Sequence, residues 1–291
     1  MVTQASPKWL NTNEYPFAAK YFQTNSHNLH YIDEGSGETI VFVHGTPSWS
    51  FDYRHCIVQL SKTFRCVAMD HIGFGLSDKP AEYDYSTPNH AATLGKLIAH
   101  LQLENVTLVV HDFGGPIGLH WAINNADKLK RMVILNSWMW SSNGEPEFEK
   151  LKRILKSPLL PCLYKQLNFS PKIILPASFG EKKLAASLRA QYTKPFADSS
   201  QRNGALAFAH SLLNDQPWFE QLWNEKKTIA DKPVQFIWGM RDKVIGPKYL
   251  DKFISGFSNH RVLKLDTCGH FPQEEEHAAV TQCIYQFMQL S

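Results

Sequence analysis

Short apolar runs that stop abruptly at polar, glycine-bearing turns constrain this chain more than any other feature. Thr39-Ile-Val-Phe-Val43 stops at His44-Gly45, and Val106-Thr-Leu-Val-Val110 stops at His111-Asp112. Phe64–Met69, Met132–Leu135, Val234–Trp238 and Arg261–Leu265 repeat the pattern. Continuous runs of this length, rich in β-branched residues, predict strands buried on both faces of a mostly parallel sheet. Helical patterns over Ala91–Leu101, Ile117–Ile123 and Ala278–Met288 supply intervening and terminal helices. Leu29–Glu34 instead alternates like a half-buried strand and ends at Gly35-Ser36-Gly37, a hairpin signal. The fold class is therefore α/β.

The alternation stops near Trp138 and resumes near Pro233. Ser141 to Asp231 is rich in Leu, Lys and Pro with almost no strand-like runs, which predicts a helical insertion. The expected organisation is a core of residues 1–140 and 232–291 under a helical cap of residues 141–231. At 43% hydrophobic and 20% charged, the chain can fill a core and is not disordered. A net charge of +3 with scattered Lys and Arg gives no reason to expect nucleic acid. No apolar run reaches the roughly 18 residues of a spanning helix, so no membrane insertion is expected. The first residues carry no apolar signal-peptide core, and the expected location is cytoplasmic. Cys56, Cys66, Cys162, Cys268 and Cys283 are widely spaced and read as small buried hydrophobes, with neither a disulfide frame nor a metal site.

In an open parallel sheet, ligands bind beyond the carboxyl ends of the strands. The turns there read His44-Gly45-Thr46-Pro47-Ser48-Trp49, Asp70-His-Ile-Gly73-Phe-Gly75, His111-Asp112-Phe113-Gly114-Gly115, Gly239-Met-Arg-Asp242 and Gly269-His270. Gly73-Phe-Gly75 lacks a following Gly-Lys-Ser/Thr and reads as a tight turn. The strand-to-helix turn at Asp112 resembles a nucleophile elbow, with Gly114 and Gly115 permitting the sharp bend. Asp112 would be the nucleophile, His270 the base and Asp242 the group orienting the base. The backbone N–H groups of Thr46 and Phe113 would form the oxyanion hole. His44 and His111 are expected to brace the turns, and Glu274-Glu275-Glu276 to cap the last helix.

At these residues the chain resembles the α/β-hydrolase family, and within it the branch of haloalkane dehalogenases and epoxide hydrolases. HGTPSW, DHIGFGLSDKP, HDFGGP, WGMRD and CGHFPQEE occur in that branch's order, and the resemblance covers essentially the whole chain. It implies an eight-stranded sheet, a helical cap inserted after the sixth strand, and no cofactor. Partners are then a small apolar organic substrate and water.

An aspartate nucleophile suits displacement at a saturated carbon, giving an alkyl ester that water then hydrolyses. Haloalkanes, epoxides and strained lactones fit that chemistry. The sequence departs from the dehalogenase pattern at two positions. Phe113 stands where an indole N–H usually holds the halide, and Thr46 where Asn or Glu is common. A carbon–halogen hydrolase is the first expectation, with an epoxide hydrolase or β-lactone decarboxylase as alternative. A non-catalytic binder of small ligands is the third. Epoxide opening would need cap phenols; Tyr164 and Tyr192 are available, whereas Phe208–Leu212 has no tyrosine. His210 in that stretch joins Trp49, Trp138 and Tyr164 as candidate substrate contacts. Asn136, an amide at a strand end, cannot serve as the charged orienter, which leaves Asp242.

Overall fold

A computed structural model describes residues 6–24 and 26–290. Its strands are β1 (Lys20–Thr24), β2 (His27–Glu34), β3 (Thr39–Val43), β4 (Arg65–Met69), β5 (Val106–Asp112), β6 (Leu129–Ser137), β7 (Val234–Gly239) and β8 (His260–Leu265). They form one eight-stranded sheet in the order β1-β2-β4-β3-β5-β6-β7-β8. β2 pairs antiparallel with β1 and β4, and every pair from β4 to β8 is parallel.

Every residue of β3, β5 and β7 is buried, as expected for strands covered on both faces. Their side chains divide by alternation. Val41, Val43, Leu108 and Val110 join one apolar cluster; Ile40, Phe42 and Val109 join another. The two edges differ from the centre. β8 is mostly exposed and carries Arg261 and Lys264, charges that discourage pairing with a further strand. β1, which the apolar-run pattern did not reveal, is KYFQT, an edge strand with too few apolar residues to stand out.

Gly35-Ser36-Gly37 does not make a hairpin between neighbours. β4 lies between β2 and β3, so the turn spans one strand, with Gly35 and Gly37 at φ of 78° and 107°. The antiparallel hairpin is instead β1–β2, with Thr24 opposite His27. Among the described residues no strand lies between β6 and β7. Helices and short turns of helix fill that interval, from Pro146–Leu155 through Asn203–Asn214 and Gln216–Glu225. None of the helices described is long and apolar enough to cross a membrane.

Cys56, Cys66 and Cys268 are buried as expected, but Cys162 is exposed and Cys283 intermediate. The three glutamates before the last helix also depart from expectation. Glu274 pairs with the buried Arg54 guanidinium. Glu275 accepts the N–H groups of Gly269 and Gly180, while Glu276 pairs with Lys182. They tie loops together instead of neutralising the end of the helix His277–Met288.

Candidate active site

β5 continues two residues past its apolar run and ends on Asp112, held at φ 51° in the left-handed region. A non-glycine residue rarely adopts that conformation, and it persists only when its surroundings enforce it. Here the helix Gly114–Asn124 begins immediately after Phe113 and must lie hard against neighbouring strand ends. A Cβ on Gly114 would stand 2.1 Å from the Val43 carbonyl oxygen, and one on Gly115 1.7 Å from Ser137 Oγ. Ser137 in turn donates to the Asp112 carbonyl at 2.6 Å. The turn is thus clamped by its neighbours, and its side chain stands above the sheet, 7% exposed.

Three strand-end loops converge on that carboxylate. The Thr46 N–H donates to Asp112 Oδ1 at 2.8 Å. His270 Nε2 lies 3.4 Å from Asp112 Oδ2, an ion-pair separation rather than a tight hydrogen bond. The other side of the imidazole is tighter, with Nδ1 2.6 Å from Asp242 Oδ2. Asp242 is itself fixed by three donors: the N–H groups of Val244 and Ile245 on Oδ1, and Asn136 Nδ2 on Oδ2. Asn136 is locked in its turn, because its Oδ1 accepts the Gly239 N–H at 2.8 Å. The strand-end amide that cannot orient a histidine directly thereby orients the acid that does.

The charges follow from this arrangement. Burial pushes the His270 imidazole down, yet the Asp242 and Asp112 carboxylates on either side outweigh it and raise the group to about 10. Burial likewise pushes Asp242 up, but His270 and the two backbone N–H donors hold it below the usual carboxylate range. The arrangement therefore favours an imidazolium at His270, flanked by Asp242 and Asp112. The bracing roles expected of two other histidines are present. His44 pairs with the Gly45 carbonyl and accepts the His71 N–H. His111 Nε2 bonds the His270 carbonyl at 2.6 Å.

Above Asp112 lies a cavity of about 70 Å³, room for roughly two waters. Its walls are apolar: Phe113 and Trp138 from the core, Phe148, Leu151 and Leu212 from the helical insertion. The Phe113 ring stacks on Phe208, centroids 4.5 Å apart at 15°, and meets Trp138 edge-on. No donor occupies the Phe113 position, and Thr46 does not line this cavity. Its polar lining beyond Asp112 is Ser142, Gln216 and Tyr249. Gln216 is already committed, accepting from Ser141 Oγ and the Ser142 N–H, both at 2.8 Å.

Of the four candidate substrate contacts, only Trp138 lines the cavity. Trp49 lies elsewhere: fully buried, it packs beside Tyr15 and Phe51 and donates its indole N–H to the Gln191 carbonyl. Tyr164 is buried outside the lining, with burial pushing its phenol up to about 12. His210 shares the helix Asn203–Asn214 with Leu212 but also lies outside the lining. Tyr192, the other phenol considered, is occupied by Asp52 and Glu274 at 2.7 and 2.6 Å. Tyr249 and Ser142 were not anticipated. They sit in no motif, and nothing in their spacing announces that an insertion loop and the helix Pro247–Gly256 meet over Asp112.

A strand-to-helix elbow carrying an acidic residue, faced by a histidine–aspartate pair from later strand ends, defines a hydrolase scaffold. Residues 38–277 match the α/β hydrolase fold family, and the chain belongs to it. Within that family its relatives include haloalkane dehalogenase 2 of Mycobacterium tuberculosis, 32% identical over 272 residues covering 93% of this chain and 94% of that one. A cis-3-alkyl-4-alkyloxetan-2-one decarboxylase of Shewanella oneidensis is 33% identical over 282 residues, covering 94% and 89%. Among solved structures, the haloalkane dehalogenase DatA from Agrobacterium tumefaciens C58 superposes with a TM-score of 0.84 at 26% identity, covering 94% of this chain and 97% of that one. The chain is thus a haloalkane dehalogenase-like member of the α/β hydrolases, related also to β-lactone decarboxylases.

Proposed function

We propose that the protein hydrolyses a carbon–halogen bond in a small apolar alkyl halide through a covalent ester on Asp112. The observation that carries this reading is the line Asp242–His270–Asp112, with separations of 2.6 and 3.4 Å, together with the Thr46 N–H on Asp112 Oδ1. Oδ1 is held by that donor, so Oδ2 is the oxygen available for attack. Oδ2 forms a bond to the substrate carbon as halide departs with the bonding electron pair. The ester carries no charge. His270 then loses one of its two anionic neighbours, its pKa falls, and it passes its proton to solvent water as the acid product that accompanies the halide, which leaves it a base.

Neutral His270 takes a proton from water while the hydroxide forms a bond to Asp112 Cγ. The tetrahedral oxyanion develops on Oδ1, to which the Thr46 N–H donates, with the N–H of Phe113 at the helix start as the proposed second donor. Collapse expels the alcohol, protonated from His270, and the carboxylic acid left on Asp112 passes its proton back to His270, which restores the carboxylate and the imidazolium. Residues 141–231 act as the cap, closing the site with Phe148, Leu151 and Leu212 and keeping bulk water from the ester. The same machinery needs neither metal nor organic cofactor, and its partners are the substrate and water, with a cytoplasmic setting.

A second reading has its own support. The position directly after Asp112 is Phe113, which carries no donor, and one relative is named for an oxetanone, a strained four-membered lactone. Intact-protein mass spectrometry on His270→Phe separates the two. Removing the base leaves alkylation possible and blocks hydrolysis, so an adduct accumulates on Asp112. Adduct from a short bromoalkane supports dehalogenation; adduct from only a terminal epoxide or an alkyl β-lactone moves the assignment to ring opening. No adduct from any of them would overturn the covalent mechanism in favour of a binder.

A further inference from the structure

A second pocket of about 290 Å³ opens on the surface beside the small cavity over Asp112. It is lined by Trp140, Glu145, Pro146, Lys248, Lys252 and Tyr249, among others. Tyr249 is the one residue that lines both spaces. Its ring is therefore a shared wall, and its surroundings fix it there. One face stacks on Trp140, centroids 5.5 Å apart at 27°. Trp140 is buried and wedged edge-on against Trp223 and Phe253 at 5.1 and 4.9 Å, so it offers no room to retreat into. Lys248 Nζ lies 5.4 Å from the ring centroid on the outer side.

We propose that Tyr249 is a specificity-determining residue that sets the upper chain length of the substrate by closing the cavity at Asp112 from the outer pocket. The inner space of about 70 Å³ suits the reacting carbon, its leaving group and a short chain. A longer linear chain has to continue somewhere, and the outer pocket, with Trp140 and Pro146 on its walls, is the adjacent volume. With the phenol ring in place that continuation is blocked. Removing the ring joins the two spaces and admits a long-chain substrate whose tail lies against Trp140. Each methylene that gains a pocket wall adds affinity, whereas one that meets a wall prevents productive binding. The proposal rests on the alkyl-ester reading of the site and narrows it to short-chain electrophiles.

Two readouts keep the two ideas separable. The first is binding of 1-propanol and 1-octanol, followed by intrinsic tryptophan fluorescence, which requires no chemistry. The preference for octanol over propanol should rise about tenfold or more in Tyr249→Ala. Tyr249→Phe, which keeps the ring, should hold the wild-type preference, and Tyr249→Trp should not relax it. The second readout is adduct formation on Asp112 in the His270→Phe background, using bromoethane and 1-bromooctane. Tyr249→Ala should shift alkylation toward the octyl compound in the same sense. An unchanged length preference in Tyr249→Ala would overturn the proposal, as would an equal shift in Tyr249→Phe, which would assign the effect to the hydroxyl. If the alcohol preference shifts while no electrophile alkylates Asp112, the length limit stands and the dehalogenase reading falls. Should Tyr249→Ala fail to fold, the alcohol preference in Tyr249→Trp decides: a rise there overturns the proposal.

Discussion

The two sides of the Asp112 carboxylate are built on opposite plans. On the His270 side the orienting groups are tied: Asp242 by two backbone N–H groups and Asn136, Asn136 by Gly239, and the His270 carbonyl by His111. On the far side Phe113, Phe208 and Trp138 form a wall of stacked and edge-on rings with no donor at the position beside the nucleophile. Under the proposed mechanism, the difference separates the two half-reactions. Ester hydrolysis needs preorganised charge, because a base and an oxyanion must be stabilised at fixed points. Displacement at a saturated carbon needs a dry surface for an apolar chain and, for a poor leaving group, a donor, which Phe113 does not supply.

The largest effect is expected at Asp112, the proposed nucleophile. Asp112→Ala should lower turnover by about a millionfold, to background, with no adduct in mass spectrometry. Residual adduct formation would place the attacking group elsewhere. Asp242→Asn should cost about 10⁴-fold in kcat with little change in thermal stability. It should also bring the His270 titration down, since burial then acts against one carboxylate fewer; NMR of the imidazole would read that directly. Near-normal turnover in this variant would mean another acid orients the base.

The apolar side is sharpened by supplying what it lacks. Phe113→Trp adds an indole N–H beside the nucleophile and should raise alkylation by bromoalkanes about tenfold or more. The larger ring has to displace Phe208, at a stability cost of about 1–3 kcal/mol visible as a lower Tm. Faster alkylation would identify the leaving-group side as limiting; no change would locate the departing group away from position 113.

A pH effect follows from the charged side alone. His270 is raised in the folded protein to about 10, above its ordinary value of 6.5. The stability it contributes is complete below the unfolded value and is lost as pH rises through the folded one. Wild-type Tm should therefore fall through pH 7–10 more steeply than that of His270→Phe. Parallel profiles would show that the imidazole is not held between two carboxylates. The smallest effect is expected at the insertion's outer edge. Lys248 reaches Glu145 and Glu147 at 3.2 and 2.8 Å, with Glu147 70% exposed, so Lys248→Ala should change stability by less than about 1 kcal/mol.

What could be read from the residues in order was whatever is local. Apolar runs marked the strands covered on both faces, and the polar turns after them located Asp112, Thr46, Asp242 and His270. Those features are legible because a buried strand excludes polar residues and a sharp elbow requires glycine. β1 escaped because an edge strand has no such exclusion, and the Gly35–Gly37 turn misled because a turn's residues do not say which strands it joins. Trp49 was a reasonable substrate contact by position, yet its indole is used up in bonding Gln191, 142 residues away.

The residues in order were enough for the sheet's buried strands, the elbow at Asp112, and the placing of Asp242 and His270 at later strand ends, since each depends on a few consecutive residues. The packing of distant segments was needed to see that Asn136 holds Asp242, that Phe113 lies on Phe208, and that Tyr249 lines two pockets. Those are contacts between segments up to about a hundred residues apart, such as the 106 between Asn136 and Asp242. Their distances are set by how helices and loops pack, and no pattern along the chain encodes that packing on its own.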